Sequence, residues 1–206
     1  ATLRNDASSR FSPETRWGLF PSMALAWNAK EEDFLKHSSI VSTLKARLGW
    51  GVTGQQDIGS NYPYLARYSM STSESSMYDM GDKGLIYFLS PSAYDSLIKW
   101  EETVTTNAGI DFGFLGDRIS GNIDIYKRET HDLLNTVTIP MGANFSNTLL
   151  THVGSIENKG LEFALNLIPV STRNWNVQMG LNGTFQSTRF TKLTSVDDPT
   201  TSPEQG

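Results

Sequence analysis

The 206-residue sequence contains no cysteine. A disulfide scaffold, a thiolate metal site and a cysteine nucleophile are therefore excluded. Such a composition suits an oxidising compartment such as a periplasm or outer membrane, though many cytosolic proteins share it. Charge is also scarce, at 19% of residues against the usual quarter. No basic block is present, and 17 Lys and Arg stand against 22 Asp and Glu. Binding to a nucleic-acid backbone is therefore not expected. No apolar run approaches the roughly 18 residues of a membrane-crossing helix. The start, Ala1-Thr2-Leu3-Arg4-Asn5-Asp6, does not read as a signal peptide. A transmembrane β-barrel survives these exclusions, because its signal alternates and is weak in any one segment.

Aromatic residues are plentiful, at 11%, and much of the remainder is Ser, Thr and Asn. Disordered chains lack aromatics and carry more charge, so most of the chain is expected to fold. A helical bundle would be richer in Ala, Glu, Lys and Leu.

The chain alternates in stretches of about ten residues. In 16–28, Trp17, Leu19, Pro21, Met23, Leu25 and Trp27 share one face, because side chains on a strand alternate with period two. At ~3.3 Å per residue and ~45° tilt, ten residues rise roughly 23 Å. That is close to the ~25 Å apolar band of an outer-membrane barrel, whose edges carry aromatic girdles. Further strands are expected near 44–53, 103–115, 118–130, 158–168 and 175–186. Residues 31–36 read as one helical turn. Gly116-Asp117 is a hairpin signal. Pairing across it sets Phe112 against Gly121, Ile110 against Ile123, and Asp111 against Asn122. A slip of one residue would mix apolar with polar faces.

The connections differ greatly in length. Long loops are expected at 54–101 and 131–157, and short turns at 116–117 and 169–174. Long loops at one end and short turns at the other are the habit of membrane barrels. The first loop carries Tyr62, Tyr64, Tyr68 and Tyr78, whose rings with polar tips suit sugars and peptides. In the second, Asn144 and Phe145 are the candidates for ligand or partner contact.

Catalytic motifs dissolve on inspection. Gly49-Trp50-Gly51-Val52-Thr53-Gly54 spells G-x-G-x-x-G, but the glycines fall inside a strand and no helix follows. His37, His131 and His152 are scattered through connections, without metal-ligand spacing. Glu101 and Glu102 are strand neighbours on opposite faces, so they cannot act as a carboxylate pair. No Ser has glycine at both −2 and +2. No enzyme, metal site or cofactor is expected. The matches to the glycosylation sequon at Asn144 and Asn182 are of a kind common by chance.

Several ordered segments resemble the SusC/RagA family of TonB-dependent outer-membrane transporters. They are Arg16-Trp17-Gly18-Leu19-Phe20-Pro21-Ser22 through Trp27, Glu31 to Leu35, and Leu44-Lys45-Ala46-Arg47 through Gln55. Further along come Lys99 to Thr103, Asp124-Ile125-Tyr126, Pro140 to Asn144, and Asn158-Lys159-Gly160-Leu161-Glu162. The resemblance implies an all-β, antiparallel up-and-down meander, part of a barrel of about 22 strands around a plug. It implies import of oligosaccharides or oligopeptides across the bacterial outer membrane, with a SusD-like surface lipoprotein. It also implies coupling to TonB through an N-terminal part. No plug domain, TonB-contacting segment or aromatic-ended final strand is recognised, so the chain is expected to be a piece of such a transporter.

On this reading Trp17, Leu19, Met23, Leu25, Trp27, Leu48, Trp50, Phe112, Phe114, Ile123, Leu165, Trp175 and Met179 face lipid. Lys45, Arg47, Asp111, Asn122, Asp124, Glu162 and Gln178 face the lumen. The alternative is a soluble β-sandwich module that binds glycans, with a second sheet covering the apolar face.

Overall fold

The computed structural model describes residues 1–70, 77–87, 89–139, 146 and 148–192. Seven strands form one antiparallel sheet, in the order β1 (Thr2–Ala7), β2 (Trp17–Asn28), β3 (Val41–Gln55), β8 (Glu101–Phe114), β9 (Ile119–Thr138), β10 (Thr148–Ser171) and β11 (Asn176–Lys192). Consecutive strands of this sheet are neighbours throughout, which is an up-and-down meander. Two small two-stranded sheets lie between β3 and β8. One pairs β4 (Arg67–Met70) with β7 (Leu89–Ser92), and the other pairs β5 (Tyr78–Asp79) with β6 (Leu85–Ile86). Between β2 and β3, a 3-10 turn at Ala29–Glu31 leads into the short helix α1, Asp33–Lys36. The Lys30 ammonium closes this connection by donating to the carbonyls of Leu35, Lys36 and Ser38.

The β8–β9 hairpin has the register its apolar pattern demands. Phe112 faces Gly121, Ile110 faces Ile123, and Asp111 faces Asn122. At its turn Leu115, Gly116 and Asp117 all take positive φ, a conformation glycine and aspartate accept readily. The Ser42 hydroxyl accepts from the Gly116 and Asp117 amides and fastens the turn to β3.

Two features depart from the sequence expectations. The loop expected over 131–157 is largely strand, because β9 continues to Thr138 and β10 begins at Thr148. Its alternation is broken where Asp132 takes φ +56°. The register shifts on either side of Gly154 mark the same irregularity on the partner strand. A bulge inserts an extra residue, so a pattern of period two loses step there. The second departure is β1, whose single large apolar residue, Leu3, offers too little alternation to read.

Burial of large apolar side chains gathers in one place. Among the described residues, Phe11, Phe20, Ile98 and Trp100 form a buried cluster, with Val52, Ile58, Tyr64, Leu134 and Leu150 packed partly against it. On the main sheet, Trp17, Leu25, Leu48, Ile123, Leu181 and Phe185 stay exposed. A β-sandwich would cover that face with a second sheet. The two additional sheets have two strands each and sit in the β3–β8 connection, so the sandwich alternative is set aside.

Candidate functional site

The site has three parts: an apolar face, a polar face, and a loop cap at one end. The apolar face follows from strand alternation and the register. Trp27 is level with Ala46, Ile110, Ile123, Phe163 and Gly183 across β2, β3, β8, β9, β10 and β11. In β2 the apolar stretch starts ten residues beyond that row, at Trp17. In β11 it starts two residues beyond it, at Phe185. Between them it reaches six residues beyond the row in β3, at Val52, and two in β8, β9 and β10, at Ala108, Ile125 and Leu161. The edge of the apolar stretch therefore steps down from β2 to β8 and then runs level to β11.

Trp17, Trp27, Trp50 and Trp175 all sit on this face and are exposed, Trp17 at 64%. Phe112 and Phe114 lie on it half-buried, their ring centroids 5.8 Å apart. Trp27 donates its indole N–H to Glu32 at 3.0 Å, tying the end of β2 to the turn before α1.

The polar face carries an ion cluster. Arg47 grips Asp111 with two hydrogen bonds of 2.8 and 2.9 Å. The same guanidinium reaches Asp124 at 3.0 Å, and Asn122 donates to Asp124 at 3.1 Å. The fork of Arg matches a carboxylate, which fixes direction as well as charge. Gly109 lies between Arg47 and Asp124 in the register. A Cβ there would meet Asp124 Oδ1 and the Arg47 guanidinium, so glycine leaves room for the pair. Gly49 serves Asn107 in the same way. This is the physical role of the G-x-G-x-x-G stretch, which stays within β3.

The loop cap closes the long-loop end. Trp100 packs against Phe11 and Phe20, with centroids 5.4 and 5.3 Å away. Its indole N–H donates to the Arg16 carbonyl at 3.0 Å. The Thr15 hydroxyl donates to the Ile98 carbonyl at 2.7 Å. Arg10 bonds the Gln56 carbonyl and Asp57 Oδ1, the latter at 2.6 Å. The Arg10 hydrogen bond and charge hold the Asp57 carboxyl below its usual pKa. A strap joins the cap to the β9–β10 hairpin. Lys99 pairs with Asp132 at 2.7 Å, and Thr151 donates to Asp95 at 2.7 Å. The Lys99 amide donates to His152 Nε2 at 3.0 Å, so His152 Nδ1 carries the proton that meets the Asp132 carbonyl at 2.8 Å. His152 is thus a half-buried structural residue within β10, where the sequence pattern placed it in a connection.

The candidate tyrosines separate into two kinds. Tyr64 leans on the buried cluster. Tyr62, Tyr68 and Tyr78 are exposed, Tyr68 at 64%. Tyr62 holds φ +55° and meets Tyr64 edge-on at 6.4 Å. Backbone strain of this kind gathers at ligand-contacting sites. Asn144 and Phe145 lie outside the described residues. Sequence reading missed Phe11, Ile98 and Arg10, which belong to no periodic segment. Their only signal is large or charged side chains set in short polar connections.

Comparison with known proteins covers nearly the whole chain. The family model for the TonB dependent receptor-like β-barrel matches residues 1–205. The chain is 49% identical over 198 residues to the TonB-dependent receptor SusC of Bacteroides thetaiotaomicron, covering 96% of this chain and 19% of that protein. It is 33% identical over 201 residues to the TonB-dependent receptor P3 of Formosa agariphila, covering 96% and 19%. Among solved structures it resembles the RagAB peptide importer in its closed-closed state, with TM-score 0.79, 26% identity, and coverage of 93% of this chain and 20% of that one. The chain spans about a fifth of the length of the relatives it matches.

Proposed function

Since the chain belongs to the TonB-dependent receptor-like β-barrel family, in its SusC/RagA branch and hence in the bacterial outer membrane, we propose that it forms a lipid-contacting wall sector of an importer for oligosaccharides or oligopeptides. The apolar face meets lipid, the Arg47 cluster faces the lumen, and the cap stands outside the cell. Tyr62, Tyr68 and Tyr78 on the cap meet substrate or a SusD-like surface lipoprotein. TonB acts through the remainder of the whole transporter. On this reading the chain serves transport and is not an enzyme, in keeping with relatives that are TonB-dependent receptors.

The observation that carries the reading is the exposed apolar band across β2, β3 and β8 to β11. A water-soluble sheet has no reason to keep such a band exposed, whereas lipid solvates it. The test uses the full-length protein. A charge at mid-membrane on the lipid face costs about 2–4 kcal/mol. Leu165→Arg is expected to block assembly of a heat-modifiable barrel, and Asn166→Arg on the opposite face to leave it intact. Equal tolerance of the two would overturn the reading. Alanine at Tyr62, Tyr68 and Tyr78 together is expected to lower substrate uptake while the barrel still assembles.

A further inference from the structure

Arg47 and Arg128 both stand on the polar face, in different situations. Arg47 is held by Asp111 and Asp124. Arg128, in β9, is exposed and has neither a hydrogen bond nor an ion pair among the described residues. Its neighbours in the register are Thr105 on β8 and Asn158 on β10, both neutral. A guanidinium without a carboxylate keeps its planar fork of N–H donors free for an incoming anion.

Tyr126 precedes Arg128 on the same face of β9, level with Asn107 on β8 and Gly160 on β10. A Cβ at Gly160 would stand 2.5 Å from Cε1, Cζ and Oη of Tyr126 alike. The ring therefore lies over the glycine along the β10 backbone, and its other face is turned to the lumen. On the far side the Asn107 amide lies over Gly49. The two side chains lean apart and leave a bay between them. Glu162 bounds the bay on the side away from Arg128. It is level with Asp124, exposed, and likewise unpaired among the described residues. On the opposite face, Ile125 and Leu161 mark the edge of the apolar band at this height, so the bay lies in the part of the lumen nearer the cap.

We propose that this bay binds an acidic sugar, a hexuronate unit of a glycan in transit. The pyranose lays a C–H face on Tyr126, its carboxylate takes the Arg128 fork, and its hydroxyls meet Glu162 and the Asn107 amide. Alternate residues on a strand are ~6.7 Å apart, so a carboxylate borne by a ring on Tyr126 falls at the Arg128 guanidinium. A neutral sugar uses the platform and leaves the fork empty. A peptide carboxylate fills the fork, yet a peptide backbone presents no saturated ring face to Tyr126.

The proposal rests on the importer reading and narrows its cargo. Barrel assembly and the cap tyrosines test that reading separately, and binding is measured here without uptake. Full-length, heat-modifiable protein in detergent is titrated calorimetrically with tetragalacturonate and tetramannuronate, each beside its carboxyl-reduced neutral counterpart. Wild type is expected to bind at least one acidic tetramer about tenfold more tightly than its neutral counterpart. Arg128→Gln is expected to abolish that ratio and to leave the neutral affinity unchanged. Arg128→Lys keeps the charge without the fork and is expected to keep part of the ratio. It carries the test should Arg128→Gln fail to assemble. Tyr126→Ala is expected to weaken acidic and neutral tetramers alike, several-fold, and Gly160→Ala, which dislodges the ring, to do the same. Glu162→Gln is expected to tighten the acidic tetramer by removing a like charge. The proposal is overturned if neither acidic tetramer binds, if acidic and neutral tetramers bind equally, or if the ratio survives Arg128→Gln. Tighter binding of the tripeptide glycyl-tyrosyl-glycine, lost in Arg128→Gln, overturns it in favour of a peptide site.

Discussion

The wall and the cap follow opposite burial rules. In the wall, Trp17, Leu25, Leu181 and Phe185 stand exposed, Phe185 at 70%. In the cap, Phe11 and Ile98 are fully buried, and Trp100 is 6% exposed. Both regions carry aromatic and branched side chains, so composition does not separate them. On the proposed reading the difference is the solvent. Lipid accepts an apolar side chain without cost, so a wall that meets lipid needs none of its chain to cover those faces. The cap stands in water, where roughly 25 cal/mol per Å² rewards burial, and it builds a small core of its own.

The sharpest way to break this contrast is Trp100→Ala. Truncating a buried aromatic costs about 3–5 kcal/mol, and it also leaves the Arg16 carbonyl with the Ser8 amide as its remaining donor. Hydrogen exchange is expected to show residues 95–100 losing protection while the β8–β9 hairpin keeps its own. Loss of protection in both would mean that wall and cap are one cooperative unit. A smaller effect is expected on the polar face of the wall. Gly109→Ala pushes Asp124 away from Arg47. For a pair still about a third exposed at Arg47 and a fifth at Asp124, the expected loss is about 1 kcal/mol. A double-mutant cycle with Asp124→Asn measures it, and full additivity of the two changes would show that glycine does not serve the pair.

The smallest effect concerns pH in the cap. Asp57 has a lowered pKa in the folded state, from the Arg10 hydrogen bond first and its charge second. A depressed carboxyl contributes stability above its unfolded pKa and loses it as pH falls through the folded value. The Arg10–Asp57 tether is therefore expected to hold at neutral pH and to loosen only below about pH 4. Limited proteolysis across that range is expected to show the cap opening in acid. Asp57→Asn should flatten the curve, and an unchanged curve in that variant would assign the opening to another group.

The wall was largely legible in the sequence and the cap was not. Period-two alternation set the faces of β2, β3, β8, β9, β10 and β11, and Gly116-Asp117 set a register that pairs Ile110 with Ile123. Both signals are local, and a single residue slip would have exposed an error. The bulge at Asp132 is the point where this reasoning fails. An extra residue resets the phase, so strand beyond it looks like loop. The cap lies beyond local reasoning altogether. Phe11 and Trp100 meet across 89 positions of chain. Nothing in either neighbourhood names the partner.

The extension of β9 and β10 past the apolar band has a mechanical consequence. On the proposed reading, the stretch from Thr148 to Lys159 rises roughly 26 Å above the lipid at the ~45° tilt of barrel strands. It is a cantilever rooted in the membrane wall, with its joint at the Asp132 bulge. The Lys99, His152 and Thr151 contacts brace it at that joint. A load applied at the tip is therefore delivered as torque to the strap, and through Ile98 and Trp100 to the cap, before any membrane-embedded strand has to bend.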